Sequence, residues 1–202
     1  MSKYQLDKSP IYLEGTDVPK NKLGIIEADI IHEIENNLLT QAYEHFSSHL
    51  TKQTKLNEAY FIGLHQKTFE SLYDFAGVYR NENMSKGDSQ FCLAQYLAHE
   101  STRIFHELEQ DKYLLTCKDK QDFVKKLAYY KGELIALHPF YELNGRVLRL
   151  FIDMLCVYNG YNFVDYSDVI ENHAYIEASI ECVQYADNSK MEKIIEAGLV
   201  KS

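Results

Sequence analysis

Apolar positions recur at helical rather than strand spacing along most of this chain. Phe123, Val124, Leu127, Tyr130, Leu134, Ile135 and Leu137 lie close to one face of a 3.6-residue period, which predicts a long helix. Pro139 ends it, because the residue before a proline is pushed out of the α region. The next run (Val147, Leu148, Leu150, Phe151, Ile152, Met154, Leu155, Cys156 and Val157) has no polar face, which predicts a helix from near Arg146 buried in the middle of its domain. Asn159-Gly160 stops that helix. Upstream, helices are expected from about Ile26 to His49, from Leu56 to Phe75 with a left-handed cap at Gly77, and from Ala94 to Gln110. Downstream, residues 163–166 read as extended, a helix capped by Ser167 or Asp168 reaches about Gln184, and a last one covers Met191 to Leu199. Met84 to Cys92 is too short and turn-rich for a helix, and Gly87-Asp88 between short polar segments predicts a small hairpin. Residues 1–23, with Pro10 and Pro19, read as an extended arm and residues 24–202 as one domain. The fold class is all-α, with a small β-hairpin near residues 84–92.

Composition narrows the partners. A net charge of −9 disfavours a phosphate-backbone partner, so no nucleic acid is expected, and arginines gathered in one place stand out. No apolar run approaches the length of a membrane span, and Met1 to Gln5 lack a signal-peptide core; the expectation is a cytoplasmic chain without a membrane partner. Cys92, Cys117, Cys156 and Cys182 are far apart and expected to be reduced and at least partly buried. His99 and His106 read as exposed histidines rather than a metal pair, Tyr73 and Phe75 as core, and Arg80 as solvated or salt-bridged. Tyr175, Ile176 and Ile180 read first as core packing, with a place beside a ligand as the alternative.

Candidate chemistry concentrates between the two central helices, in His138-Pro139-Phe140-Tyr141-Glu142-Leu143-Asn144-Gly145-Arg146-Val147-Leu148-Arg149. The first turn of a helix offers unpaired N–H groups and the positive end of its dipole, which together bind phosphate. Gly145 lets the backbone approach such a ligand, and Asn144 tolerates the angles of a tight loop. Arg146 and Arg149 are three residues apart and reach the same side of the helix mouth. Glu142 supplies a hard oxygen suited to Mg²⁺ already chelated by phosphates. His138 is the side chain there whose ordinary pKa suits a general base near neutral pH. Base, metal carboxylate, anion loop and two arginines describe a site for a nucleoside triphosphate.

This stretch resembles the signature of the Fic (filamentation induced by cAMP) family, His-x-Phe-x-Asp/Glu-Gly-Asn-Gly-Arg-x-x-Arg, with seven fixed identities in twelve residues. The resemblance implies a mainly helical Fic/Doc-like fold and a protein adenylyltransferase that moves AMP from ATP, with Mg²⁺, onto a Ser, Thr or Tyr hydroxyl of a target protein. By position, His138 would be the catalytic base and Glu142 the metal ligand. Asn144, Gly145, Arg146 and Arg149 would bind nucleotide, and Phe140 would anchor the loop. Leu72 to Gly77 resembles the family's Leu-Tyr-Asp-Phe-Ala-Gly segment, and Ser85, Lys86 and Gly87 match its flap, whose edge takes the target as an added strand. Leu143 stands where the family has glycine. A left-handed backbone there would cost a leucine about 1–2 kcal/mol and crowd the phosphate, giving weak activity or a nucleotide-binding relative without turnover; an ordinary backbone would cost little. A Doc-like phosphotransferase ranks last, because that branch has a lysine near Gly145-Arg146.

Gly15 to Gly24 resembles the arm of the subgroup inhibited by a separate small antitoxin. The family's inhibitory Ser/Thr-x-x-x-Glu-Gly/Asn pattern is not met in full: Thr40 to Glu44 continues with His45, and Glu35-Asn36 is preceded by Ile31. The expectation is inhibition in trans through Arg149, with Glu35 or Glu44 of the same chain as the alternative. The family's proposed role is a toxin-like regulator of growth or cell division.

Overall fold

The computed structural model describes residues 4–6, 11–171 and 173–201. Its helices are α1 (Ala28–Ser48), α2 (Glu58–Phe69), α3 (Leu97–Gln110), α4 (Lys120–Leu137), α5 (Asn144–Tyr158), α6 (Ser167–Glu171), α7 (Ala174–Tyr185) and α8 (Ser189–Gly198). As its apolar run requires, α5 lies at the centre, with Leu150, Phe151, Ile152, Met154 and Leu155 fully buried. Helices α1, α2 and α4 pack around it, and α4 in turn carries α3, α7 and α8. Side-chain caps start two of these helices: Asn57 accepts from the Tyr60 N–H and Asp119 from the Asp122 N–H. Among the described residues no helix is long and apolar enough to cross a membrane.

Two predicted helices end elsewhere than expected. Helix α2 stops at Phe69 rather than Phe75, and residues 70–77 run back along it as turns. Gly77 closes this return at φ +77°, so near α2 that a Cβ would stand 2.6 Å from the Gln66 Cβ. Its N–H donates to Nδ1 of His65 at 2.8 Å, a contact that a helix continued to Phe75 would carry away. The helix expected from 167 to 184 is two, α6 and α7, with His173 left-handed at φ 62° immediately before α7.

The hairpin forms at its expected place: β2 (Met84–Lys86) pairs antiparallel with β3 (Ser89–Gln90) across the two-residue turn Gly87-Asp88, with Gly87 at φ +58°. A third strand, β1 (Gln5–Leu6), is an addition to the expected fold. It runs antiparallel on the other edge of β2, Gln5 opposite Ser85 and Leu6 opposite Met84. Residues 11–20 fold into a turn bridged between Tyr12 and Pro19.

Candidate active site

Helix α4 ends at His138, which takes the left-handed conformation (φ 44°, ψ 59°) while its N–H still donates to the Leu134 carbonyl. The loop to α5 is locked by its own side chains. Phe140 is fully buried, and Asn144 clasps its backbone: Oδ1 accepts from the Phe140 N–H at 2.8 Å and Nδ2 donates to the Phe140 carbonyl at 2.7 Å. Leu143 is left-handed (φ 67°, ψ 9°), the first of the two conformations the sequence left open. Its side chain nevertheless turns into the core, 6% exposed, and lines no part of the cavity in front of the loop. Burying a leucine recovers about 1.5–3 kcal/mol, which offsets the backbone strain of about 1–2 kcal/mol.

Two residues outside the motif brace this loop from behind. His65 on α2 stacks on Phe140 with centroids 4.0 Å apart. Its Nδ1 accepts from Gly77, so Nε2 carries the proton and donates to the Glu142 carbonyl at 3.1 Å. Burial pushes its pKa down to about 4. Arg80 corrects the expectation of a solvated or salt-bridged residue: it is 2% exposed, and its guanidinium donates to backbone carbonyls. Nε donates to the His138 carbonyl at 2.9 Å, and the other nitrogens reach the carbonyls of Glu82, Cys92 and Leu137. Burial lowers its pKa to about 10. At the end of α4, Arg80 thereby satisfies the Leu137 and His138 carbonyls, while the Ala136 carbonyl accepts from the Cys92 N–H.

In front of the loop is a cavity of about 660 Å³, lined among others by His138, Asn144, Gly145, Leu148, Tyr175, Ile176 and Ile180. Nδ1 of His138 faces the Ile135 carbonyl at 3.3 Å, which keeps its proton there and leaves Nε2 unprotonated. Nε2 is buried and, among the described residues, has no hydrogen-bond partner. Burial, with help from the positive charges of Arg80 and Lys86, pushes the His138 pKa down to about 3. Gly145 is exposed, and a Cβ there would meet open space. Ile176 and Ile180 are 47% and 40% exposed, so they belong to the cavity wall rather than the core, contrary to the first expectation.

The charged residues are each engaged differently. Glu142 accepts a short hydrogen bond from the Tyr12 hydroxyl and another from the Leu143 N–H, and burial raises its pKa. Arg146 donates to buried Glu35 at 2.7 Å, and Glu35 also accepts from Tyr73. Arg149 lies 5.7 Å from the Tyr175 ring centroid and, among the described residues, makes no salt bridge. Asp153, four residues after Arg149 on α5, accepts from the Tyr43 hydroxyl and the Val164 N–H. The structure therefore brings together His138, Glu142, Asn144, Gly145, Arg146 and Arg149 at one loop. Ser85 and Lys86 sit on β2 and Gly87 in its turn, with Lys86 and Gly87 on the cavity rim. His99 and His106 stay outside, each exposed and paired with a neighbour on α3.

This fold and this loop can be compared with known proteins. The Fic/DOC family pattern matches residues 55–156. The chain belongs to the Fic/DOC family. Among its Fic/DOC relatives, a probable protein adenylyltransferase of Sinorhizobium fredii (y4lH) is 30% identical over 161 residues, spanning 80% of this chain and 82% of that protein. The protein adenylyltransferase VbhT of Bartonella schoenbuchensis is 30% identical over 205 residues, all of this chain but 41% of that longer protein. In fold, the BepC protein of Bartonella tribocorum, solved with bound AMPPNP, superposes with a TM-score of 0.81 at 23% identity, over 95% of this chain and 97% of that one. The Fic/DOC arrangement here is mostly helical with one small antiparallel sheet.

Proposed function

We propose that this Fic/DOC protein is a protein adenylyltransferase, transferring AMP from ATP to a Ser, Thr or Tyr hydroxyl of a target protein. One observation carries the reading: His138 presents an unprotonated, unpartnered Nε2 in the wall of a nucleotide-sized cavity, beside the N-terminus of α5. His138 would take the proton of the target hydroxyl. The hydroxyl oxygen would then bond to the α-phosphorus as the bond to the pyrophosphate oxygen breaks. The amides of the first turn of α5 would grip the phosphates over the open face of Gly145, with Arg146 and Arg149 beside them. Asn144, whose amide is spent on Phe140, would act by holding the loop in shape.

Glu142 fits Mg²⁺ as a minor contributor to its shell: it offers one buried carboxylate whose raised pKa a cation would relieve, with phosphates and water supplying the remaining oxygens. Bound there, the ion would neutralise phosphate charge. Inhibition by an antitoxin in trans remains our reading, because Arg149 keeps its guanidinium out of any salt bridge among the described residues, while Glu35 is committed to Arg146 and not to Arg149. The test is incubation of the chain and a cell lysate with ATP labelled at the α or the γ phosphate. Protein label from the α position, lost in His138→Ala, is the expected result. Label from γ would instead mean phosphotransfer, and no protein label would sink the proposal.

A further inference from the structure

Two tyrosines are among the residues that line the cavity. Tyr4 lies at the His138 end, its ring edge-on to the imidazole with centroids 5.1 Å apart. Tyr175, the second residue of α7, carries a cation from each of two other helices over its ring. From α5 comes Arg149, its guanidinium carbon 5.7 Å from the ring centroid. From α4 comes Lys131, its ammonium 5.2 Å away. Lys131 is fully buried, and the reaction proposed above gives it no part. Its ammonium donates to the Tyr166 hydroxyl at 2.9 Å, and the Tyr166 ring meets Tyr175 edge-on at 5.4 Å. Shut away from water, that ammonium is solvated by the hydroxyl and the two rings, and it draws them together from behind the cavity wall.

We infer that Tyr175 is a positioning residue for Arg149, and that Lys131 and Tyr166 fix its ring from the protein side. The inference rests on the nucleotide reading above. The two motif arginines show why a ring suits this task. Arg146 is held by the Glu35 carboxylate, which accepts from its guanidinium and offsets its charge. Arg149 is held over a ring, which attracts the cation without taking an N–H donor, and its Nε reaches the Gly145 carbonyl only at 3.5 Å. Charge and donor fork therefore stay available to phosphate oxygens, on a side chain already in place. An untethered arginine has to give up its rotamer freedom when nucleotide binds, which is worth about 2–10-fold in affinity. The ring removes much of that cost beforehand. Tyr175 thus acts on nucleotide affinity through Arg149, and not as a platform for the base.

The experiment is a double-mutant cycle on the full chain, read by calorimetric titration with Mg²⁺ and an ATP analogue whose α–β bridging oxygen is replaced by methylene, so that no turnover intervenes. Arg149→Ala should weaken binding, and Tyr175→Leu should weaken it by about 2–10-fold. The double variant should bind no more weakly than Arg149→Ala alone. Tyr175→Phe keeps the ring and should keep most of the affinity. Lys131→Met fills the same space without the charge and should lose part of the affinity, but only where Arg149 is present. Losses that multiply between Tyr175→Leu and Arg149→Ala, or a Tyr175→Phe variant that binds as poorly as Tyr175→Leu, overturn the assignment and leave the nucleotide reading standing. A Lys131→Met variant with unchanged affinity, or with a loss that persists beside Arg149→Ala, overturns the role given to the lysine. An unaltered chain that binds no analogue overturns the inference together with the nucleotide reading.

Discussion

His65 and His138 lie on opposite sides of the motif loop, and the contrast separates scaffold from chemistry. Both are buried, each stacks on a phenylalanine at about the same separation (4.0 Å for His65 on Phe140, 3.8 Å for His138 on Phe91), and burial holds both pKa values far below the ordinary range. They differ in their hydrogen bonds. His65 uses both nitrogens, tying Gly77 to the Glu142 carbonyl, whereas Nε2 of His138 has no hydrogen-bond partner among the described residues. A buried polar atom without a partner costs about 1–3 kcal/mol, so a structure retains one where something other than folding uses it. The back of the loop is therefore built to be satisfied and the front to be completed by a ligand.

The largest expected effect breaks that symmetry. His138→Ala should lower AMP transfer by about 10²–10⁴-fold, the range for removal of a general base, with only about 1–2 kcal/mol lost from stability, because the loss of its ring on Phe91 and of one long hydrogen bond is partly offset by removing a buried, unpartnered nitrogen. His65→Ala should do the reverse in the first instance. It removes a buried ring and strands the Gly77 N–H and the Glu142 carbonyl, at about 3–5 kcal/mol. Chemical denaturation beside the labelling assay reads both, and equal stability losses in the two variants would dissolve the distinction.

Arg80→Met extends the comparison to the other brace. It keeps an aliphatic chain of similar reach but leaves the His138, Cys92 and Leu137 carbonyls without their donor, and should cost about 2–4 kcal/mol. Arg80→Lys should recover only part of this, since one ammonium cannot span the set that the guanidinium fork reaches. Full rescue by lysine would show that charge, not the fork, holds the turn.

Acidification should then expose the histidines. Their folded pKa values lie below the unfolded 6.5, so the unfolded chain takes up protons that the folded one refuses. Their stabilising contribution is complete above pH 6.5 and is lost as pH falls toward about 4. Between pH 7 and 5 each histidine should remove on the order of 2 kcal/mol. Glu142 and Asp153, whose pKa values burial raises, act with the opposite sign and offset part of it. The pH dependence of His65→Phe should accordingly be flatter than that of the unaltered chain. Tyr4→Ala, by opening the cavity side of His138, should raise the pKa of that ring and leave His65 where it is. Ring-proton chemical shifts follow both, and a Tyr4→Ala shift shared by the two histidines would contradict the division.

Front and back were not equally legible in the sequence. Seven motif residues fall within twelve positions, α3 and α4 carry clean periodicity and α5 a near-continuous apolar run, so the loop and its flanking helices could be read directly. The contacts that complete the site join distant positions: Tyr12 to Glu142 across 130 residues and Glu35 to Arg146 across 111. No local pattern marks such pairs. Arg80 misled because a lone arginine reads as surface, and its partners are backbone carbonyls that no side-chain identity announces. Strand β1 is two residues long, below the length at which alternation can be recognised. His65 was the missed residue with a signal, lying among Phe61, Leu64, Thr68 and Phe69 on the buried face of α2.

Leu143 is the mildest test of the same division, because it touches the back while its backbone shapes the front. Glycine there would relieve a left-handed strain of about 1–2 kcal/mol but remove a side chain whose burial contributes about 1.5–3 kcal/mol and leave a cavity in the core. Leu143→Gly should thus be destabilised by about 1 kcal/mol net. Its AMP transfer should stay within a factor of about 3 of the original, less than 1 kcal/mol in the barrier, since the leucine lines no part of the nucleotide cavity. A large gain in transfer would mean that the left-handed leucine holds the first turn of α5 out of line for the phosphates, and the front of the loop would then be limited by strain rather than by access to His138.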